Sequence, residues 1–211
     1  MRTRASEPGV ALHSRTSAAW ADAVLAQPLA LLQDHAHCEL GAAASAQGLI
    51  HRRTSDAELC ERLAALAAEE LAHFRRVLRL VREFGGELTQ RPSNPYAEGL
   101  ARAARSTGGG EFSFLDRLLV SALIEARSHE RFELLAERAR DRRLAELFAE
   151  LGPSERGHMA LFPELARRRF GDDAVERRLD ELAAAEAEVL ASSAFAPRVH
   201  SGEPMPTEST R

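Results

Sequence analysis

Apolar positions along the chain, mostly Leu and Ala, fall at helical spacing among Glu and Arg, and runs of β-branched residues that would mark a sheet are absent. The pattern predicts a short helix over Ser17–Leu25. Gln27-Pro28 marks a break, with the proline in the first turn of a long helix over Pro28–His51. Ser55-x-x-Glu58 reads as a capping box for a second long helix that runs to Phe84 and stops at Gly85-Gly86. Residues 87–112 form the longest irregular stretch, with RPSNPY, a helical piece near Ala97–Ala104 and Gly108-Gly109-Gly110. A helix over Ser113–Ala139 follows, continued by a short one over Asp141–Leu151. Gly152-Pro153-Ser154 is expected to open a separate helix ending near Gly171, and Asp172-Asp173 to cap a last amphipathic helix to about Ser192. This gives one helical domain over residues 17–192, a flexible N-terminus at 1–16 and a disordered tail at 193–211.

Composition narrows the class. The 211 residues suffice for one domain with a substantial core. Net charge is −4 and every basic residue is Arg. No apolar stretch approaches the roughly 20 residues needed to span a bilayer, and MRTRASEPGVALHSRTS has no signal-type apolar core. Cys38 and Cys60 each sit inside a helical pattern and read as reduced thiols of a cytoplasmic protein.

Candidate chemistry lies in a repeat. Glu39 is followed 31 residues later by Glu70, with His73 in EELAH; Glu125 is followed 30 residues later by Glu155, with His158 in SERGH. Glu and His three apart share one side of a helix, so both can reach one metal. Four helices supplying Glu, Glu-x-x-His, Glu and Glu-x-x-His form the ligand set of a carboxylate-bridged dinuclear site in a ferritin-like bundle. The stretch 87–112 then becomes the long crossover between two helical pairs. The expected fold is all-α, a ferritin-like four-helix bundle with additional peripheral helices.

A single Glu-x-x-His in so Glu-rich a chain is usually a solvated face. Two at matched spacing are not, and both lone glutamates sit in apolar or small-residue runs where an uncompensated carboxylate would be costly. Carboxylates with one imidazole per metal suit iron or manganese better than structural zinc. Glu39, Glu70 and His73 are assigned mainly to one metal and Glu125, Glu155 and His158 to the other, with Glu70 and Glu155 as the bridging candidates. His35 and His129, four residues from Glu39 and Glu125, are either supporting residues or extra ligands, or ordinary polar positions near the bundle end. Asp34 could orient a ligand histidine. His37 and His51 are expected at the surface.

Such a shell serves O2 activation, iron oxidation, radical generation and peroxide reduction alike. Tyr96, the only tyrosine, lies in the crossover, which argues against a tyrosyl-radical subunit. No Cys-x-x-Cys module is present. LLQDHAHCELGAA, EELAHFRRV, LLVSALIEARSHERFELLA and SERGHMALF together resemble the MiaE-type tRNA hydroxylases over roughly residues 20–190. The resemblance implies a non-haem di-iron monooxygenase with two iron ions, O2 as co-substrate and an external reductase or ferredoxin-type electron donor. It further implies hydroxylation of the isopentenyl group of 2-methylthio-isopentenyl-adenosine beside the anticodon of tRNA. A di-iron hydroxylase of another substrate, or a ferroxidase or iron-storage protein, remains the alternative.

The overall charge gives no global basic surface, but arginine is locally dense at Arg52-Arg53, Arg75–Arg82, Arg138–Arg143 and Arg167–Arg169. These are either a Glu-balanced surface or, as the resemblance implies, contacts to the anticodon stem-loop placed at a bundle end near the site entrance.

Overall fold

The computed structural model describes residues 10–90, 93–108 and 113–205. Among these it contains seven helices: α1 (Ala18–Leu25), α2 (Pro28–His51), α3 (Ala57–Glu83), α4 (Pro95–Thr107), α5 (Phe114–Arg138), α6 (Arg142–Phe170) and α7 (Asp172–Ser192). The ferritin-like arrangement is two helical hairpins, α2 with α3 and α5 with α6, laid against each other. The long connection between them carries α4, which packs with α7 alongside α5. Gly99 allows that packing, because a Cβ there would lie 2.7 Å from Val189 Cγ1. No described helix is long and apolar enough to cross a membrane.

Local chemistry fixes most boundaries. Ser17 accepts from Trp20 N–H, Asn94 from Ala97 N–H, and Ser113 with Asp116 forms a reciprocal capping box. α3 is capped by Asp56, which accepts from Leu59 N–H, and not by the expected Ser55–Glu58 box. Gly85 ends α3 with φ +77°, a conformation glycine enters without strain. The glycine run at 109–110 lies outside the described residues.

The expected break at Gly152-Pro153 does not occur: α6 continues through Pro153 and Pro163. An interior proline costs about 3 kcal/mol. Leu147, Phe148 and Leu151 before it, and Phe162 and Leu165 after it, are all buried. At about 1.5–3 kcal/mol for each fully buried large apolar side chain, their anchoring outweighs that cost.

The core is split along the bundle axis. One apolar cluster gathers Leu63, Leu66, Leu119, Leu123, Phe162 and Leu165; the other gathers Leu31, Leu32, Val77, Phe132, Phe148 and Leu151. Between them, at mid-height on all four bundle helices, the sequence places the glutamates and histidines of the repeat.

Residues 10–16 and 193–205 pack more closely than the sequence pattern indicates. Residues 193–205 run back across α1, α2 and α5, burying Val199, His200 and Ser201. Arg131 donates to the carbonyls of Val199 and Ser201, Trp20 Nε1 donates to Ser201 Oγ (3.0 Å), and Val199 N–H donates to Asp34 (2.9 Å). A Cβ at Gly202 would run into the Ser193 carbonyl oxygen. At the other end Thr16 donates through its N–H and hydroxyl to Glu130, and Val10 joins the core. Residues 1–9 and 206–211 lie outside the described part.

Candidate metal centre

The polar layer between the two cores brings Glu39 from α2, Glu70 and His73 from α3, Glu125 from α5, and Glu155 and His158 from α6 into one place. Ligand-type atoms of Glu39, Glu70, His73 and Glu155 lie within 4.8 Å of one another, as do those of Glu70, Glu125, Glu155 and His158. Glu70 and Glu155 belong to both groups; Glu39 and Glu125 each belong to one.

All four carboxylates are buried, with Glu70 1% and Glu155 2% exposed. Four buried carboxylates facing two imidazoles leave an excess of negative charge that a low-dielectric core does not tolerate. Burial, reinforced by the Glu70 charge, pushes Glu125 up to about 7, and burial with the Glu125 charge raises Glu155 well above its usual range. Burial opposes a charge on the histidines, but Glu39 and Glu70 push His73 up to about 10, and Glu70 pushes His158 up to about 9. For Glu39 burial works upward, and the adjacent His35 outweighs it and holds the carboxyl below its usual range.

The satisfied and unsatisfied atoms divide in a telling way. His158 Nε2 bonds Glu69 at 2.9 Å on the outer side, while its Nδ1 lies 2.7 Å from Glu70. That close approach lacks hydrogen-bond geometry. Glu39 Oε2, Glu70 Oε1, His73 Nδ1 and His158 Nδ1 are all buried without a hydrogen-bond partner. Buried polar atoms are normally paired. Here the orphans converge around shared points, an arrangement that fits a pair of cations taking the place of the protons.

The supporting residues fall differently from expectation. His35 is fully buried, with Nε2 against Glu39 Oε1 and its ring packed on Phe132 and Phe148 at 4.8 and 5.7 Å. His129, its counterpart, turns away and pairs through Nδ1 with the Gly152 carbonyl at 2.9 Å. Asp34 orients no ligand histidine; it holds the C-terminal segment through Val199 N–H. His37, expected at the surface, is 8% exposed and bonds the Thr89 carbonyl at 2.9 Å, because the chain after α3 folds back over it. His51 is exposed, as expected. Neither cysteine is in a disulfide.

Three residues near the centre were not placed beside it by the sequence. Glu69, the outer partner of His158, is signalled only by its position in the Glu69-Glu70 doublet. Tyr96, in the first turn of α4, stacks on His200 with ring centres 4.8 Å apart and planes within 7°, and donates its hydroxyl to buried Glu186 at 2.8 Å. His200 also contacts Ser128 at 3.2 Å and Cys38 at 3.8 Å. Tyr96 and His200 line a cavity of about 170 Å³ that reaches Glu125.

Fold and polar layer together define a ferritin-like protein with a buried Glu/His cluster able to hold metal ions. Within that class the chain belongs to the tRNA-(MS[2]IO[6]A)-hydroxylase (MiaE) family, whose model matches residues 5–201. It is 37% identical to the tRNA 2-(methylsulfanyl)-N(6)-isopentenyladenosine(37) hydroxylase of Pseudomonas putida, over 90% of this chain and 91% of that one. It is 31% identical to the enzyme of the same name from Salmonella typhimurium, over 70% of this chain and 53% of that one. Among solved structures it resembles Protein 43 with aldehyde deformylating oxygenase activity from Synechococcus, with a TM-score of 0.83 and 39% identity over 93% of this chain and 98% of that one.

Proposed function

We propose that this protein is a cytoplasmic, O2-dependent hydroxylase of the isopentenyl group of 2-methylthio-isopentenyl-adenosine in the anticodon loop of tRNA. The family match over almost the whole chain carries the reading. The buried, orphaned carboxylate and imidazole atoms support it, because O2 chemistry at a C–H bond needs a redox cofactor and these residues suit one.

In this reading Glu39, Glu70 and His73 would hold one iron and Glu125, Glu155 and His158 the other. Bound there, the iron pair supplies O2 activation. One oxygen atom of O2 enters the C–H bond and the other leaves as water, with two electrons and two protons drawn from an external donor of reductase or ferredoxin type. The chain's own part is positional. Glu69 fixes the tautomer of His158 by accepting from Nε2–H, which leaves Nδ1 facing inward. His35 Nε2 holds Glu39 through Oε1 and leaves Oε2 free for the centre. The apolar cores above and below keep bulk water from the layer.

The test is a single turnover of reduced, iron-loaded protein with O2 and tRNA carrying the prenylated nucleoside, read by nucleoside mass spectrometry. A gain of one oxygen on that nucleoside, absent in Glu70→Ala, is the expected result. A long-chain aldehyde serves as the comparison substrate. Consumption of the aldehyde with an unchanged nucleoside would overturn the reading.

A further inference from the structure

The polar layer can be approached through two seams of the bundle, and they differ in chemistry. The α3/α6 seam opens beside His158 as a shallow depression of about 350 Å³. Its charges are already paired: Glu69 with His158, and Arg62 with Glu164 through two bonds of 2.8 and 2.7 Å. The α2/α5 seam is roofed by α4 and by the C-terminal segment. It holds the cavity of about 170 Å³ that reaches Glu125, and a second of about 270 Å³ that shares Ser45, Ala97, Ser121 and Ile124 with it. The shared lining makes them one groove running from the polar layer outward.

The sequence builds this groove by register. On α2 its wall is Gly41, Ala42, Ser45 and Gly48, three and four residues apart on one face; on α5 it is Ser121, Ile124 and Glu125. Small side chains on α2 leave room where most neighbouring helices would interdigitate. Each stripe ends outward in an arginine, Arg52 on α2 and Arg117 on α5. Burial, and then the charges of Arg52 and Arg105, hold the Arg117 guanidinium below its ordinary value. Two arginines at the mouth of an apolar groove suit a polyanion. Inside, His37 lines the same cavity. Its Nε2 donates to the Thr89 carbonyl, so Nδ1 is an acceptor, and Nδ1 is buried without a partner.

We propose that the α2/α5 groove is the entry for the modified adenosine. The prenyl chain lies along the small-residue wall toward Glu125, His37 Nδ1 accepts from the single N–H on the prenylated N6, and Arg52 and Arg117 pair with flanking phosphates. The proposal rests on the hydroxylase reading for its occupant. A prenylated adenine has these features in this order: an apolar branch, one N–H at its base, and a phosphate chain outside. The base enters unstacked from the anticodon loop. His37 is thus a positioning residue, and the α3/α6 depression is not the substrate route.

The test measures binding and turnover separately. The probe is a labelled synthetic anticodon stem-loop, with and without the prenyl group on the adenosine. Wild-type protein is expected to bind the prenylated loop at least about tenfold more tightly, from burial of the apolar branch. Ala97→Trp and Ser45→Trp, on different walls of the groove, should each erase that preference and leave binding of the plain loop unchanged. They should also cut kcat/KM by about a hundredfold, the scale of a misplaced reacting group. His37→Leu should lose the preference and His37→Asn, which keeps an acceptor in place of Nδ1, should restore it. Arg52→Ala with Arg117→Ala should weaken both loops and flatten the salt dependence by about 0.7 per lost phosphate contact. Ala65→Trp in the α3/α6 depression should change nothing. If the tryptophan variants at positions 45 and 97 keep both preference and turnover, or Ala65→Trp abolishes them, the groove is not the entry even though the enzyme hydroxylates. If the preference behaves as described but no oxygen is gained, the groove stands and the hydroxylase reading falls.

Discussion

The two helical hairpins carry the same motif at nearly the same spacing, yet their surroundings differ. In the α2/α3 half, Glu39 is met by a fully buried histidine, His35, which packs against two phenylalanine rings and holds the carboxyl below its usual range. In the α5/α6 half, the histidine four residues from Glu125 leaves for the Gly152 carbonyl, and burial raises Glu125 above the usual carboxylate range beside the cavity. The repeat therefore sets which ligands are available, while the packing around it decides which half is braced and which faces the groove. The braced half is suited to hold its metal firmly, and the half with the open carboxylate is placed where substrate arrives.

The comparison can be broken at its centre. Glu70 and Glu155 belong to both ligand groups, so Glu70→Ala or Glu155→Ala should remove both metals and cost at least about a thousandfold in turnover, roughly 4 kcal/mol of barrier. Glu39→Ala or Glu125→Ala should instead leave about one metal per chain by analogy with losing one outer ligand set. Metal analysis of the four purified variants separates these outcomes, and equal losses in all four would remove the distinction between shared and private ligands.

A second break lies in the segment that ties the halves together. Residues 193–205 are held by Asp34 and Cys38 on one side and by Ser128 and Arg131 on the other. Ending the chain after Ser192 should cost about 3–5 kcal/mol, since Arg131 loses its buried carbonyl partners and Trp20 its cover. Denaturant titration reads this directly, and a loss below about 1 kcal/mol would mean that the segment only rests on the surface.

The asymmetry itself is sharpened by a matched pair. His35→Ala should weaken metal binding by about 10–100-fold, the usual effect of removing a residue that orients a ligand. His129→Ala should leave metal affinity within about threefold and cost about 1 kcal/mol of stability from its bond to Gly152. Equal effects on metal affinity would contradict the asymmetry.

A further effect is a pH dependence. His200 is buried, and burial together with the charges of Arg131 and Arg127 lowers its pKa to about 3 from an ordinary 6.5. With the folded value depressed, the unfolded chain takes up the proton first, so stability is complete above about pH 6.5 and falls as pH drops toward 3. The stability difference between wild type and His200→Gln should therefore shift by about 2 kcal/mol against the wild type between pH 7.5 and pH 5. A pH-independent difference would place a charged His200 in the folded state.

The ligand repeat was legible because three-residue spacing on a helix is a local property, and local rules also place the starts of all seven described helices within about two residues. The continuity of α6 was not, since the fate of Pro153 depends on Leu147, Phe148, Phe162 and Leu165 finding partners on other helices. Nor was the C-terminal segment: APRVHSGEP has too few apolar residues to signal burial, and its place is set by Asp34, Trp20 and Arg131, far away in sequence. His37 and His200 became recognisable as cavity residues only once the chain after α3 and the segment after α7 were seen to fold back over the α2/α5 seam.

The most direct test of the central claim is one turnover under oxygen-18 gas, with iron-loaded wild-type protein, a chemical reductant and tRNA bearing the prenylated nucleoside. The account predicts one oxygen-18 atom in the prenyl group of that nucleoside, with the tRNA otherwise unchanged. Incorporation of oxygen from water, or iron oxidised with no labelled nucleoside, would contradict it.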